Sequence, residues 1–182
     1  IGDRYIGKTA QVHNIPIIPA GMLSYDTMPE GVDVGITAHS FDYIGKLTRY
    51  KPKIGWIGYH PSLLPRHRGR SSIEWALKMR DFATGGTVFW LNAGIDRGDI
   101  LMQETVFIDP ALFQLSTRQG AKVLWENDLQ DIGVRLLRDS LQLIEAGDIR
   151  RKPQNNKFST FEPSLDIKDI YKPDLLMIKQ VN

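Results

Sequence analysis

Apolar residues along this chain fall into two periods. Residues 32–38 (VDVGITA), 54–59 (IGWIGY) and 87–91 (TVFWL) are short, largely apolar runs bounded by turn residues, and each reads as a buried strand. The second is apolar on both faces, as strands are when helices cover both sides of a parallel sheet. Residues 100–108 alternate apolar and polar positions, the pattern of a half-buried strand. Short helices are expected at residues 3–13, 41–50 and 72–80, the second ending before Pro52. Ser71-Ser72-Ile73-Glu74 reads as a capping box opening the third. The longest helix is expected over residues 124–146. Leu129, Ile132, Leu136, Leu137, Leu141 and Ile144 recur there at helical spacing, and Gly147 supplies a residue to end it. Residues 15–19 read as an extended piece, 21–31 as a polar loop, and Thr84-Gly85-Gly86 as a turn. Strands alternating with helices predict an α/β domain with a mostly parallel sheet over residues 1–152. Residues 153–182 lack periodicity and read as a C-terminal tail or arm.

Composition narrows the picture without deciding it. The 182 residues suit one domain with a tail. Apolar residues make up 42% and charged residues 24%, ordinary values for a globular protein. A net charge of +2 is too small to argue for nucleic acid. The chain has no cysteine, which excludes disulfide scaffolds, Cys-ligated zinc and thiol nucleophiles. No metal is expected, because no His/Asp/Glu cluster has metal-ligand spacing. No run approaches the ~20 apolar residues of a membrane helix, and no signal peptide is evident. A cytoplasmic protein is therefore expected. Ile1 is not a start methionine, so residues are expected before it.

Two stretches carry candidate chemistry. In Gly58-Tyr-His-Pro-Ser-Leu-Leu-Pro-Arg-His-Arg-Gly69, His60 sits where the chain leaves a buried strand. In open α/β sheets that edge is where ligands bind. Pro61 and Pro65 stiffen the loop, and Arg66, Arg68 and Arg70 gather beside His67 as a candidate local anion site. Taken alone, His60 reads equally well as a structural histidine, and the arginines as a solvated loop. In the second stretch, residues 84–101, another buried strand runs into a Gly-rich loop bearing Asp96 and Asp99. A carboxylate there could orient and charge a facing histidine, or activate water. Taken alone, Asp96-Arg97-Gly98 is only a turn signal.

Together the two stretches are specific. HPSLLPRxRG, then TGGT, then DxGDI resembles the formyltransferase family that uses 10-formyltetrahydrofolate, most strongly over residues 54–103 and more weakly over 15–164. The resemblance implies a Rossmann-like, mostly parallel sheet and a folate co-substrate. It implies catalytic roles for His60 and Asp96. It places the pterin between Asn92, Ala93, Gly94 and Ile95 on one side and Phe41, Asp42, Tyr43 and Ile44 on the other. Arg66, Arg68 and Gly58 are the positions implied to face substrate.

The chain departs from the family twice. Transferases place an asparagine two residues before the histidine, where its amide stabilises the oxyanion; this chain has Gly58. Losing one such donor typically costs about 3 kcal/mol of transition-state stabilisation. The run YHPSLLPRHRG, followed by a helix bearing Trp75, is most similar to the hydrolase domain of formyltetrahydrofolate dehydrogenase. The family's first strand and Gly-rich loop, which holds acceptor phosphate in the purine enzyme, find no match here. The expectation is thus formyl transfer or hydrolysis, with water, an amine or an aminoacyl-tRNA as acceptor and no membrane partner. The alternatives are a methionyl-tRNA or amino-sugar N-formyltransferase, and a folate-binding module without turnover. Too few residues follow Asp96 for a complete tRNA enzyme to be expected. Oligomeric state is not legible.

Overall fold

The computed structural model describes residues 2–38, 40 and 44–165, with side chains described from residue 7 onward. The chain forms two compact units, Ile1–Gly58 and Tyr59–Asn182, and the division falls inside a strand. The first holds α1 (Gly2–Val12), β1 (Val34–Ala38), α2 (Lys46–Tyr50) and most of β2 (Gly55–His60). The second continues from the end of β2 through α3 (Ser72–Lys78), β3 (Ala83–Trp90), β4 (Ile100–Phe107), α4 (Thr117–Leu124) and α5 (Gln130–Glu145). Among the described residues the strands make a mixed four-stranded sheet in the order β1-β2-β3-β4. In chain order α2 lies between β1 and β2, and α3 between β2 and β3. β3 and β4 are antiparallel, joined by the loop that carries Asp96. The α/β class expected from the sequence is the fold observed.

In the first unit the Trp56 indole packs flat over Gly35, where a Cβ would fall 2.2 Å from its Cδ2. Its Nε1–H donates to the Thr48 carbonyl at 3.1 Å, which ties β2 to α2. The Lys51 ammonium donates to the carbonyls of Tyr25 and Met28 and pairs with Glu30 at 2.7 Å. These bonds fix the polar loop that the sequence leaves without regular structure.

The second unit departs from three local expectations. Thr84-Gly85-Gly86 is not a turn but the interior of β3, which begins at Ala83. The glycines are there for close approach. A Cβ on Gly85 would sit 1.9 Å from the Glu104 carbonyl oxygen of β4, and one on Gly86 would strike the Tyr59 ring and Ile132. Ser71 precedes α3 but does not cap it. Its hydroxyl instead accepts from the Leu165 amide at 3.1 Å, so a long-range contact displaces the local one. The long helix starts earlier than its periodicity suggests, at Thr117, where the Ser116 hydroxyl accepts from the Gln119 amide. It is also not uniform, because Trp125–Leu129 forms a π-helical turn. There the Leu129 carbonyl accepts the Tyr59 hydroxyl at 2.6 Å, the kind of side-chain insertion that accompanies such turns. Burial pushes the Tyr59 phenol up, and the Glu104 charge pushes it further.

The glycine doublet gives a direct test. Gly85→Ala must move either β4 or its own strand, since its neighbour is backbone rather than a flexible side chain. Thermal unfolding should show a loss of about 1–3 kcal/mol or more, the usual cost of overpacking a close contact. A melting temperature equal to the parent's would remove close approach as the reason for this glycine.

Candidate active site

His60 is the last residue of β2, and Asp96 lies in the loop between β3 and β4. The structure brings them together, with His60 Nδ1 3.7 Å from Asp96 Oδ2. That is an electrostatic contact, longer than a hydrogen bond. His60 is buried and its other ring nitrogen, Nε2, lies 2.7 Å from the carbonyl oxygen of His67. A carbonyl only accepts, so Nε2 carries the proton and donates it. Nδ1 is therefore the nitrogen presented to Asp96.

Several buried bonds hold this geometry. The Thr87 hydroxyl on β3, fully buried, donates to the Ser62 carbonyl at 2.6 Å. It also accepts from the Leu64 amide at 3.2 Å and from Gln103 Nε2 at 2.8 Å. Those bonds pin the loop after His60 onto β3 and β4. Asp96 Oδ2 accepts from the Gly69 amide at 2.8 Å, which joins the end of that loop to the β3–β4 loop. Asp96 and His67 both have left-handed backbone, with φ of 50° and 55°. Aspartate tolerates that conformation better than most residues. Gly98 follows because a Cβ there would overlap the Trp90 carbonyl.

Gln154, from beyond the long helix, spans both loops. Its Nε2 donates to the carbonyls of Asp96 and Gly98 at 2.9 and 2.7 Å. Its Oε1 accepts from Arg68 Nε and a terminal nitrogen at 3.1 and 2.7 Å. No sequence signal marks it, since it lies in a polar stretch without periodicity. The segment around it belongs to the second unit and packs on β3 and β4. Ile100 and Lys152 exchange backbone hydrogen bonds, and Trp90 Nε1 donates to the Arg150 carbonyl while Arg151 stacks on its ring at 4.1 Å.

The arginines expected at an anion site are held by acceptors of the protein itself. Arg68 is buried and also donates to Asn156 Oδ1 at 2.9 Å. Burial, and then the neighbouring Arg97 charge, hold its guanidinium below the usual range, with Asp96 pulling it back in part. Arg66 makes a two-pronged pair with Asp81, at 2.9 and 2.6 Å. Of the expected folate-contacting residues, Asn92 accepts from the Gly94 amide at 2.8 Å, and Ile95 is largely exposed. Ala93 is exposed beside them. Ile44 is buried in the first unit, whereas Phe41, Asp42 and Tyr43 lie outside the described residues. Gly58 is buried in β2, two residues before His60 and so on the same face of the strand. Among the described residues no group of three His, Asp or Glu could hold a metal, and no helix is long and apolar enough to cross a membrane.

A histidine at a strand end, with one nitrogen committed to a carbonyl and the other turned to a carboxylate 3.7 Å away, is an arrangement able to exchange a proton with a bound molecule. Residues 26–119, which contain both side chains, match the formyl transferase family, and the chain belongs to it. It is 39% identical over 111 residues to human mitochondrial 10-formyltetrahydrofolate dehydrogenase, which covers 61% of this chain and 11% of that protein. It is 40% identical over 110 residues to the methionyl-tRNA formyltransferase of Methylacidiphilum infernorum, covering 60% of this chain and 32% of the relative. The chain thus spans a third or less of the length of these relatives. A 4-N formyltransferase from Francisella tularensis shares the fold, with a TM-score of 0.66 at 19% identity over 91% of this chain and 67% of that one.

Asp81 supplies a pH test. Burial pushes its carboxyl up, but the hydrogen bonds from Arg66 and His67 outweigh that and hold it below the usual carboxylate range. Its contribution to stability is therefore fully present above the unfolded value of about 3.9 and is lost as pH falls through the folded value. Asp81→Asn should be less stable at neutral pH and lose less stability than the parent on acidification below about pH 4. Melting curves across that window check this, and parallel curves for the two proteins would contradict it.

Proposed function

We propose that this chain holds the reacting centre of an enzyme that removes the formyl group of 10-formyltetrahydrofolate, with water as the acceptor. The observation that carries the reading is the His60–Asp96 pair, with Nδ1 turned to the carboxylate. In the proposed reaction a water attacks the formyl carbon and transfers a proton to Asp96. His60, carrying a proton on both ring nitrogens in the complex, keeps Nε2–H on the His67 carbonyl and donates from Nδ1 to the oxygen that becomes negative. The tetrahedral intermediate then breaks its bond to the folate nitrogen, which takes up a proton as formate leaves. Atoms and charge balance as water plus formyl-folate giving formate, tetrahydrofolate and one proton, the folate nitrogen taking the proton that Asp96 received. The 3.7 Å separation shortens or is bridged when a ligand enters, as is common for catalytic hydrogen bonds that tighten only in the complex.

Water is favoured over an amine because β2 carries Gly58 on the His60 face, where an amide donor would assist transfer. The similarity to a methionyl-tRNA formyltransferase supports an amine acceptor as the second reading.

His60→Ala and Asp96→Ala should each lower formate release from 10-formyltetrahydrofolate by about 10²–10⁴-fold, the usual contribution of an acid–base group. Circular dichroism should remain that of the parent. Parent-like turnover in either variant would remove that residue from the mechanism.

Position 58 separates the two acceptors. Gly58→Asn should raise formyl transfer to an added amine relative to formate release. An unchanged ratio in a protein of unchanged melting temperature would leave Gly58 without a catalytic role. A lowered melting temperature with an unchanged ratio would mean that the glycine serves close packing instead.

A further inference from the structure

His67 lies outside the reacting pair yet is among the most buried polar residues of the second unit, at 2% exposure. Its Nε2 lies 2.7 Å from Asp81 Oδ2, and its Nδ1 lies 3.2 Å from Glu162 Oε1 without hydrogen-bond alignment. Glu162 is itself buried, at 9% exposure. With Nε2 donating to Asp81, Nδ1 can face Glu162 without repulsion only if a proton sits between them, on the ring or on the carboxyl. The imidazole is thus clamped from both sides, and Arg66 holds Asp81 from the far side.

The clamp acts on a backbone that is strained on its own. Residue 67 has φ of 55°, the left-handed region that L side chains disfavour. Its amide donates to the Thr160 hydroxyl at 2.8 Å, and the flanking amides of Arg68 and Thr160 bond across to Thr160 and Pro65. In this conformation the His67 carbonyl points at His60 Nε2.

We propose that His67 is a positioning residue for His60: its clamped ring keeps residue 67 left-handed, so that its carbonyl binds the Nε2 proton and leaves Nδ1 for reaction. The Arg66–Asp81–His67–Glu162 cluster thereby selects the tautomer of a residue it does not touch with any side chain. This assignment rests on His60 as the reacting histidine, and its test separates the two ideas.

The test reads the His60 ring nitrogens by NMR in isotopically labelled protein without folate, above the ring's own titration. The parent should show the Nε2–H tautomer, with that proton protected from exchange and coupled to the His67 carbonyl. His67→Val cannot settle into left-handed backbone and should show mixed tautomers. Its kcat for formate release should fall by roughly 10²-fold, the cost of a misplaced reacting group, with KM little changed. His67→Asn, which tolerates that backbone, should restore the tautomer and most of kcat. A merely structural role would lower the melting temperature without moving the tautomer. An Nδ1–H tautomer in the parent overturns the proposal, as does a folded His67→Val variant with parent tautomer and kcat. Should His67→Val fail to fold, the parent and His67→Asn spectra decide, and Nδ1–H in either is fatal. Parent protein that shows Nε2–H but no turnover would sink the proposed reaction and leave the positioning role intact.

Discussion

The bond from the Gly69 amide to the Asp96 carboxylate is the constraint on which the candidate site depends. It joins the loop leaving β2 to the loop leaving β3, and it does so with the same oxygen that faces His60. One carboxylate oxygen thus both anchors the loops and faces His60. A backbone amide is a fixed donor, so Asp96 is held by a group that has no rotamers to lose. The positive φ at Asp96 fits this arrangement, since strained backbone persists only where its surroundings over-determine it.

Around that bond the polar groups are shared rather than paired. Thr87 serves the Ser62 carbonyl, the Leu64 amide and the Gln103 side chain through one hydroxyl. Gln154 uses both ends of its amide to hold two loops and Arg68. Buried polar groups in such networks are costly when any partner is removed, because the others are left desolvated and unsatisfied. That economy explains why Arg66 and Arg68, which look like ligand-binding cations in the sequence, are taken up by internal acceptors. The loop is stiffened by the charges that seemed to advertise it.

Much of this was legible in the sequence, for identifiable reasons. β2 and β4 follow from apolar runs and alternation, and His60 and Asp96 from their place after strands within a recognisable motif. The structure sets the two side chains 3.7 Å apart. What sequence could not show were contacts that override local preference. Gly85 and Gly86 look like a turn because nothing local reveals that Glu104, Tyr59 and Ile132 crowd them. Ser71 looks like a cap because nothing local reveals Leu165. Gln154, Thr160 and Glu162 carry no pattern at all, because their roles lie in partners far along the chain. The π turn at Trp125–Leu129 is hidden for the same reason, since it answers a tyrosine at position 59.

The packing of residues 148–162 has a consequence for the order in which the protein is made. His67 is bonded to a residue 93 positions ahead of it, Arg68 to residues 86 and 88 ahead, and the Asp96 carbonyl to one 58 ahead. Contacts so distant in sequence close the largest loops and form late in folding. His60 and Asp96 leave the ribosome before residues 154–160 do, so the bonds from that stretch to their loops close only once it has followed. Both loops of the candidate site are thus tied together by a short, patternless stretch that comes after them in the chain.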